Sequence, residues 1–524
     1  MKKYISKAIL PIALAFAGFT SCSEDLMDDI NKNKDNILDA PAAFMIPDVL
    51  LRTSQNVVGG DINTYTSVIV EQNAACYGQL YNCDRREGSD IYGSTVYNNI
   101  WGGIYRNINN ARIIIKKSEN DPLCKGVGEI LLALNGAIAT DIFGDTPWSQ
   151  ACDIDNYPSP ALDKQEAIYA DIMKTLDDAI ADLSNVKSNT LASKDFIYNG
   201  NAASWLKTAY ALKARYTMRL AFRNGKYSSA DMQKVIDYVD KSYTSISDNC
   251  SLFYDGYEAT SMNPFFDFFI SREYLGYSKS LLDKLMARED PRADKEAFEG
   301  YDWCYVGLDY MLENELACPN GTADEVQEAY AITSFMCADK APIHFASYHE
   351  VLFLKAEALV RMNKIEDAKA VLKKAYLAGI ENAEQSYYLI GCQYCDNSGA
   401  DPIDMAAAGD TFDAKVAPLF DANPLQEVMI EKYIAMWGAN GESIETYADV
   451  RRMIADLGSV DKMIAFYGLQ NPNNKGKYSF SENAFPLRGP YGSGDVTTNP
   501  NIQEAYGNGQ YVLTENVWWA GGNR

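Results

Sequence analysis

Apolar residues recur along most of this chain at three- and four-residue spacing, the period that lays them on one face of an α-helix. Trp101, Tyr105, Ile108 and Ile115 share such a face and predict a helix over Val96–Ser118. A second helix follows from Lys125 to Phe143 and stops at Gly144. Asp163, with Glu166 three residues on, forms a capping box that opens a helix turning Ile168, Ile172, Leu176, Ala179 and Leu183 inward. The next helix carries Trp205, Ala209, Leu212, Tyr216 and Leu220, halts near Asn224-Gly225, and precedes another over Ala230–Tyr243. The same helix–turn–helix rhythm returns at Ser347–Ala378. Small residues there, Ala356, Ala368 and Ala375, let two helices approach closely, as in tetratricopeptide pairs. Pro424 opens a further helix that buries Leu425, Met429, Tyr433 and Met436. Trp101 and Trp205 fall on apolar faces and are expected in the core. Two long stretches, Ser245–Phe345 and Ile380–Asn423, break the rhythm, and loops of that length are where function concentrates. Asn471–Arg524 is rich in Gly, Asn and Pro and reads as ordered loop over the helical body. The expected fold class is therefore mainly α. Tetratricopeptide-like helix pairs form a scaffold, with long irregular loop segments and little strand.

The N-terminus follows a different pattern. Lys2, Lys3 and Lys7 precede an apolar run from Ala8 to Phe19 and small residues at 20–21, the layout of a secretory signal. The run has twelve residues, against the ~20 that span a bilayer. No other segment reads as long and apolar enough to cross a membrane. Phe19-Thr20-Ser21-Cys22 resembles a bacterial lipobox, in which the Cys is acylated and becomes the new N-terminus. Ordinary cleavage beside an incidental Cys is the alternative. The acidic run Ser23–Asp29 resembles the surface-export signal of Bacteroidota lipoproteins. The expected organisation is a signal peptide over 1–21, an acidic flexible tether over 22–41, and a single domain over 42–524. One acyl chain anchors only marginally, at ~0.8 kcal/mol per buried CH₂, so the lipidation expected at Cys22 involves several chains.

Charge narrows the partners. The net charge is -24, and it falls to -27 once the three signal lysines leave. A chain this acidic repels nucleic-acid phosphates, so no nucleic-acid partner is expected. Hydrophobic residues make up 47 % of the sequence, enough for a large core. Ten cysteines remain after Cys22, scattered too widely for a small disulfide scaffold. Only Cys392-Gln-Tyr-Cys395 is closely spaced, and with no second CxxC and only His344 and His349, no metal or cofactor is expected. No Ser or Cys beside those histidines suggests a nucleophile arrangement. Gly489, Gly492 and Gly494 do not lie between a strand and a helix, which argues against a phosphate cradle. Seventy-one acidic residues guarantee accidental carboxylate pairs, so a glycosidase pair is not identifiable here.

Several strings then combine. Phe143-Gly144-Asp145-Thr146-Pro147-Trp148 resembles the turn after the second long helix of SusD/RagB-family nutrient-binding lipoproteins. Ala202–Tyr216 is similar to that family's first repeat helix, and Val351–Ala358 to a later one. Glu431–Trp437, Asn440-Gly441-Glu442 and Arg451-Arg452 are similar to its C-terminal signature, as are Pro486-Leu487-Arg488, Asn499-Pro500-Asn501 and Val517-Trp518-Trp519. The family's usual Tyr-Pro-x-x-Glu is here Gly489-Pro490-Tyr491-Gly492-Ser493-Gly494-Asp495, a departure confined to that loop. The resemblance implies a non-catalytic lipoprotein on the outer membrane, facing the cell exterior. It also implies a SusC-like TonB-dependent transporter as partner and a glycan, or in some members a peptide, as ligand.

Sugar capture needs aromatic faces for the apolar side of the ring and nearby Asn, Asp or Arg for its hydroxyls. The densest non-helical supply is Phe265–Phe269, Tyr274 and Tyr277, followed by Tyr301, Trp303 and Tyr305. The last three alternate and would project from one side of an extended loop, or else plug that loop onto the helical body. Tyr77 and Tyr81, with Asn73, Gln79, Asn82 and Asp84, form a second candidate at i, i+4, where core packing is the competing role. Arg451-Arg452 fits an interhelical ion pair better than a clasp for an anionic ligand. A surface glycoside hydrolase and a ligand-free scaffold or adhesin are the readings from other classes.

Overall fold

The computed structural model describes residues 40–86, 96–223, 225–256, 261–295, 297–299, 304–389, 402–475 and 485–523. The signal segment, Cys22 and nearly all of the tether lie outside the described residues, as do Tyr301, Trp303 and the Cys392/Cys395 pair. From Ala42 onward the chain forms one unit.

That unit opens with α1 (Ala42–Arg52), a π-helical turn over Thr53–Val58, α2 (Asp61–Ile69), strand β1 (Asn73–Ala75) and α3 (Gly78–Arg85). The scaffold then runs through α4 (Val96–Lys117), α5 (Pro122–Phe143), α6 (Gln165–Leu183), α7 (Ala202–Leu220) and α8 (Ser229–Val239). A long excursion carries β2 (Cys250–Leu252), α9 (Pro264–Arg272), β3 (Leu275–Tyr277), β4 (Ala297–Glu299), β5 (Cys304–Val306), β6 (Ala331–Thr333) and β7 (Ile343–Ala346). The scaffold resumes with α10 (Tyr348–Arg361), α11 (Ile365–Tyr388), α12 (Pro424–Ala435) and α13 (Ser443–Leu457). From α4 to α12 each scaffold helix packs on the next, α8 meets α10 directly so that the excursion leaves the stack unbroken, and α13 packs on α2. The mainly α expectation holds, and the paired rhythm extends beyond the repeats legible in the sequence.

The core follows the sequence pattern closely. Ile168, Ile172, Leu176, Ala179 and Leu183 are buried along α6, and Ala356, Ala368 and Ala375 are buried where α10 meets α11. Trp101 and Trp205 are core residues as expected, and both satisfy their indole N–H, on Asp495 at 2.5 Å and Asp195 at 2.7 Å. α5 corrects one expectation. It is long and apolar enough to cross a membrane, yet the whole of that apolar stretch is buried inside the bundle. Its three glycines are there for packing, since a Cβ would meet Leu183 at Gly126, Ile114 at Gly128 and Trp148 at Gly136, each within 2.8 Å.

The Asp163 capping box is a second correction. α6 starts at Gln165, and Asp163 instead accepts from the backbone N–H groups of Trp148 (2.9 Å) and Ser149 (2.8 Å). An antiparallel bridge to Thr146 holds Asp163 extended, two residues short of the helix. The first-turn N–H of Gln165 is satisfied by Asp145, at 3.0 Å. The Phe143–Trp148 string is thus a clamp between α5 and α6, and Gly144 (φ +80°) leaves room for Arg488 to reach the Phe143 carbonyl at 2.8 Å.

The stretches read as irregular hold short elements. Ser245–Phe345 contains α9 and six strands of three or four residues, with β1–β3 and β2–β7 pairing antiparallel and β5–β4–β6 forming one small sheet. α11 extends to Tyr388 before the described chain breaks, and Asn471–Arg524 carries short helices such as Ser493–Thr498 and Pro500–Tyr506. In the departing loop, Tyr491 donates to the Asp145 carbonyl at 2.9 Å, and Gly492 packs under Trp101.

Candidate ligand-binding site

A cavity of about 650 Å³ opens where three sequence-distant segments meet: the π-turn with the start of α2, the N-terminal half of α4, and α9. Its floor depends on a glycine turn. A Cβ at Gly59 would lie 2.6 Å from Ile343, and one at Gly60 would lie 2.7 Å from the Gln55 carbonyl, so only glycines let the chain reverse here. A π-helical stretch is an uncommon conformation that gathers at functional sites, and this one carries Gln55 and Asn56 to the cavity.

α4 gives the cavity the stripe Asn98, Asn99, Gly102, Gly103 and Arg106, spaced by about one helical turn. Ile104 and Ile108, on its other side, are fully buried. α9 is fixed by Asn263, whose side chain caps Phe265 and Phe266 and donates to the carbonyls of Ala341 and Ala439. Phe265, Phe266 and Phe269 point into the core, which leaves Asp267, Phe268, Ser271 and Arg272 at the cavity. The expectation that Phe265–Phe269 is non-helical is therefore wrong. A Pro at the first helical position and an Asn cap build a short amphipathic helix from a run that looked like loop aromatics.

Several polar groups here are uncommitted. Asp61, Asp267 and Arg106 make no hydrogen bond or ion pair among the described residues. Burial raises the carboxyl of Asp61 above the usual range, and that of Asp267 likewise, while the Arg272 guanidinium nearby pulls both back. Arg52 is held by Asp48 at 2.7 Å. Thr64 is 2 % exposed, and its hydroxyl has no partner among the described residues. Half-buried donors and acceptors without partners are costly unless something else satisfies them.

An aromatic ridge leads away from the cavity. The rings of Phe268 and Tyr274 meet edge-on at 6.0 Å, and Tyr274 meets Tyr77 at 5.7 Å. Tyr77 is 36 % exposed and directly precedes α3. Tyr81, one turn on, is held differently. Arg85 lies over its ring at 5.0 Å and donates both to its hydroxyl and to the Ala323 carbonyl, which ties α3 to a loop. Tyr77 thus joins the surface beside the cavity, and Tyr81 serves packing. Of their neighbours, Asn73 is buried, and Asp84 is buried with its carboxyl pushed up to about 7 by desolvation. Tyr277 stacks on Trp437 at 5.3 Å inside the core. Tyr305 lies in β5, opposite Phe298 of β4. The cavity residues Asn56, Asp61, Thr64, Asn98, Asn99, Arg106, Asp267 and Arg272 carried no signal in the sequence reading. The one available hint was the helical pairing of Asn98-Asn99 with Gly102-Gly103.

Catalytic arrangements fare poorly. Ser347, His349 and Glu442 are hydrogen-bonded together, with His349 to Glu442 at 2.8 Å, but all three are buried and one imidazole nitrogen serves both partners. Burial alone would raise the Glu442 carboxyl, yet His349 pulls it down to about 2. His344 bridges Ser251 and Asn382 in the core. Among the described residues no group of three His, Cys, Asp or Glu side chains could hold a metal. Cys76, Cys83, Cys124, Cys250 and Cys318 are buried free thiols, and Cys152 is an exposed one. Arg452 makes the expected interhelical ion pair, reaching Glu357 of α10 at 2.5 and 2.7 Å. Arg451 does not. Its guanidinium donates to the Asp141 carbonyl at 2.5 Å and lies over Tyr447.

Residues 48–459 match the family described as starch-binding proteins associating with the outer membrane. A SusD/RagB family protein from Bacteroides thetaiotaomicron, known by crystal structure, is 41 % identical with a TM-score of 0.83, over 93 % of this chain and 100 % of that one. A chitin-binding protein superposes with a TM-score of 0.68 at 22 % identity, covering 92 % of this chain and all of its own. A chitin-binding SusD homolog from Flavobacterium johnsoniae does so with a TM-score of 0.66 at 16 % identity, over 91 % of this chain and 98 % of that one. These last two likenesses show the fold alone. No curated protein matches the chain.

Proposed function

The chain belongs to the SusD-like family of starch-binding proteins that associate with the outer membrane, and from that membership we propose that it captures an oligosaccharide without cleaving it. The carrying observation is the cavity of about 650 Å³, where Asn side chains and uncommitted Asp, Thr and Arg side chains sit beside Phe268 and the Tyr274–Tyr77 ridge. Hydroxyl-rich rings need polar side chains around the rim and an apolar face to rest on, and this cavity supplies both. Lipidation at Cys22 anchors the body, residues 22–41 act as the tether and 42–524 as the binding domain. The bound sugar is handed to a SusC-like TonB-dependent transporter at the cell exterior. The lipobox-like string and the acidic run after it support that address.

Calorimetry across purified glycans and peptides tests the ligand class. Binding of at least one glycan without release of product supports the reading. Binding of peptides alone would move the ligand to that class. Product release abolished by a single carboxylate substitution would make the protein a hydrolase and end the capture reading.

A further inference from the structure

Glycine is among the costliest residues inside a helix, and helical glycines are normally explained by something packed against them. α5 obeys this: all three of its glycines lie against side chains that a Cβ would strike. α4 does not. A Cβ at Gly102 would meet nothing within 4 Å, and one at Gly103 would make only an ordinary 3.7 Å contact with Asn56. Both glycines lie well inside a 22-residue helix, and both line the cavity. Among the described residues the packing gives no reason for them. A second feature in the same cavity is Thr64, which is 2 % exposed, lines the cavity and makes no hydrogen bond through its hydroxyl among the described residues.

We infer that the bare backbone at Gly102-Gly103 is a sugar subsite, in which one pyranose ring lies flat against α4 while Thr64 and the flanking Asn98, Asn99 and Arg106 hydrogen-bond its hydroxyls. A helix stripped of side chains offers a flat, largely apolar strip, and Phe268 gives a second apolar face in the same cavity. A pyranose has the matching form, apolar C–H faces and a rim of hydroxyls. Asn and Arg one turn either side of the glycines are placed for that rim. Gly102 therefore sets what fits, because any side chain there would fill the space reserved for the ring. This inference rests on the carbohydrate reading of the cavity.

Two substitutions separate it from a structural role, because each should leave the fold as stable as before or more so. Gly102→Ala replaces an unpacked helical glycine by the best helix former, and Thr64→Val exchanges a hydroxyl at the cavity wall for a methyl of the same size without breaking a hydrogen bond among the described residues. The probes are maltohexaose, chitohexaose and xylohexaose with the full-length protein, read by saturation-transfer NMR and calorimetry, with thermal melts alongside. Gly102→Ala is expected to raise Tm and weaken the bound probe by about tenfold. Thr64→Val is expected to weaken it by about fivefold with Tm unchanged or raised. Gly102→Leu is expected to abolish detectable binding. Wild-type binding that Gly102→Leu retains overturns the subsite and leaves the carbohydrate reading standing. Failure of the wild-type protein to bind any of the three probes overturns both.

Discussion

Arg452 decides whether the C-terminal arginine pair serves the fold or a ligand. The side chain is buried, donates to Glu357 at 2.5 and 2.7 Å, to Asp449 at 3.0 Å and to Tyr227 at 2.8 Å, and so ties α13 to α10. Arg452→Met keeps most of the volume and removes the charge. Breaking a buried pair from one side costs roughly 3–5 kcal/mol. The lower end applies, because Arg361 still reaches Glu357 at 2.7 Å. For a unit of about 480 residues, the unfolding entropy is on the order of 1 kcal/mol per kelvin, so a loss of about 3 kcal/mol lowers Tm by about 3 °C. The effect carries a pH signature. Burial would raise the Glu357 carboxyl, but Arg452 and Arg361 hold it well below the usual range. A depressed folded-state pKa contributes stability above the unfolded value of roughly 4.3, and that contribution fades as pH falls. The Tm gap between wild type and Arg452→Met should therefore be widest near neutrality and narrow on acidification. Thermal melts across pH, with calorimetry on the best-bound glycan, check this. Lost binding at unchanged Tm would refute the reasoning and make the pair a ligand clasp.

Three further outcomes are expected. Phe268→Ala removes the apolar face at the cavity and should weaken glycan binding by about 1 kcal/mol, or roughly fivefold, in calorimetry; an unchanged Kd would place the ring outside the site. Burial, then the neighbouring Glu328, push the Glu273 carboxyl up to about 7. A raised acid is unstrained below the ordinary carboxylate range and costs stability as pH rises through about 7, so Glu328→Gln should raise Tm at pH 8 and not at pH 4. Equal gains at both pH values would count against the pairing. Cys22→Ala should leave glycan affinity intact and abolish uptake in cells; persistent uptake would remove the main support for capture by a lipid-anchored, tethered domain.

Much of the scaffold was legible because helix formation is local. The 3.6-residue period at Val96–Ser118 and Ala202–Tyr243 located helices to within a few residues, at Ser347–Ala378 it placed the pair but stopped well short of the end of α11 at Tyr388, and all five residues read as the inward face of α6 are buried. The ordered strings that resembled the family are tertiary clamps in the structure: Asp145 caps α6, Arg488 reaches the end of α5, and Trp519 donates to Asp141 at 2.7 Å. Local spacing misled where a distant partner competed. Asp163 had the right spacing for a cap, but pairing with Thr146 drew it away.

The sequence by itself determined the helical scaffold and the likeness to outer-membrane nutrient-binding lipoproteins, since both rest on periodicity and on short strings in order. The tertiary structure alone decided the site. Thr64, Gly102 and Phe268 are separated by long stretches of chain, and no period connects them. Six aromatic residues clustered at 265–277 looked alike as text, yet Phe265, Phe266, Phe269 and Tyr277 went into the core, Phe268 went to the cavity and Tyr274 to the ridge beside it. The orientation of one nine-residue helix sorted the four phenylalanines. That orientation comes from Asn263 bonding the carbonyls of Ala341 and Ala439, contacts made across the fold.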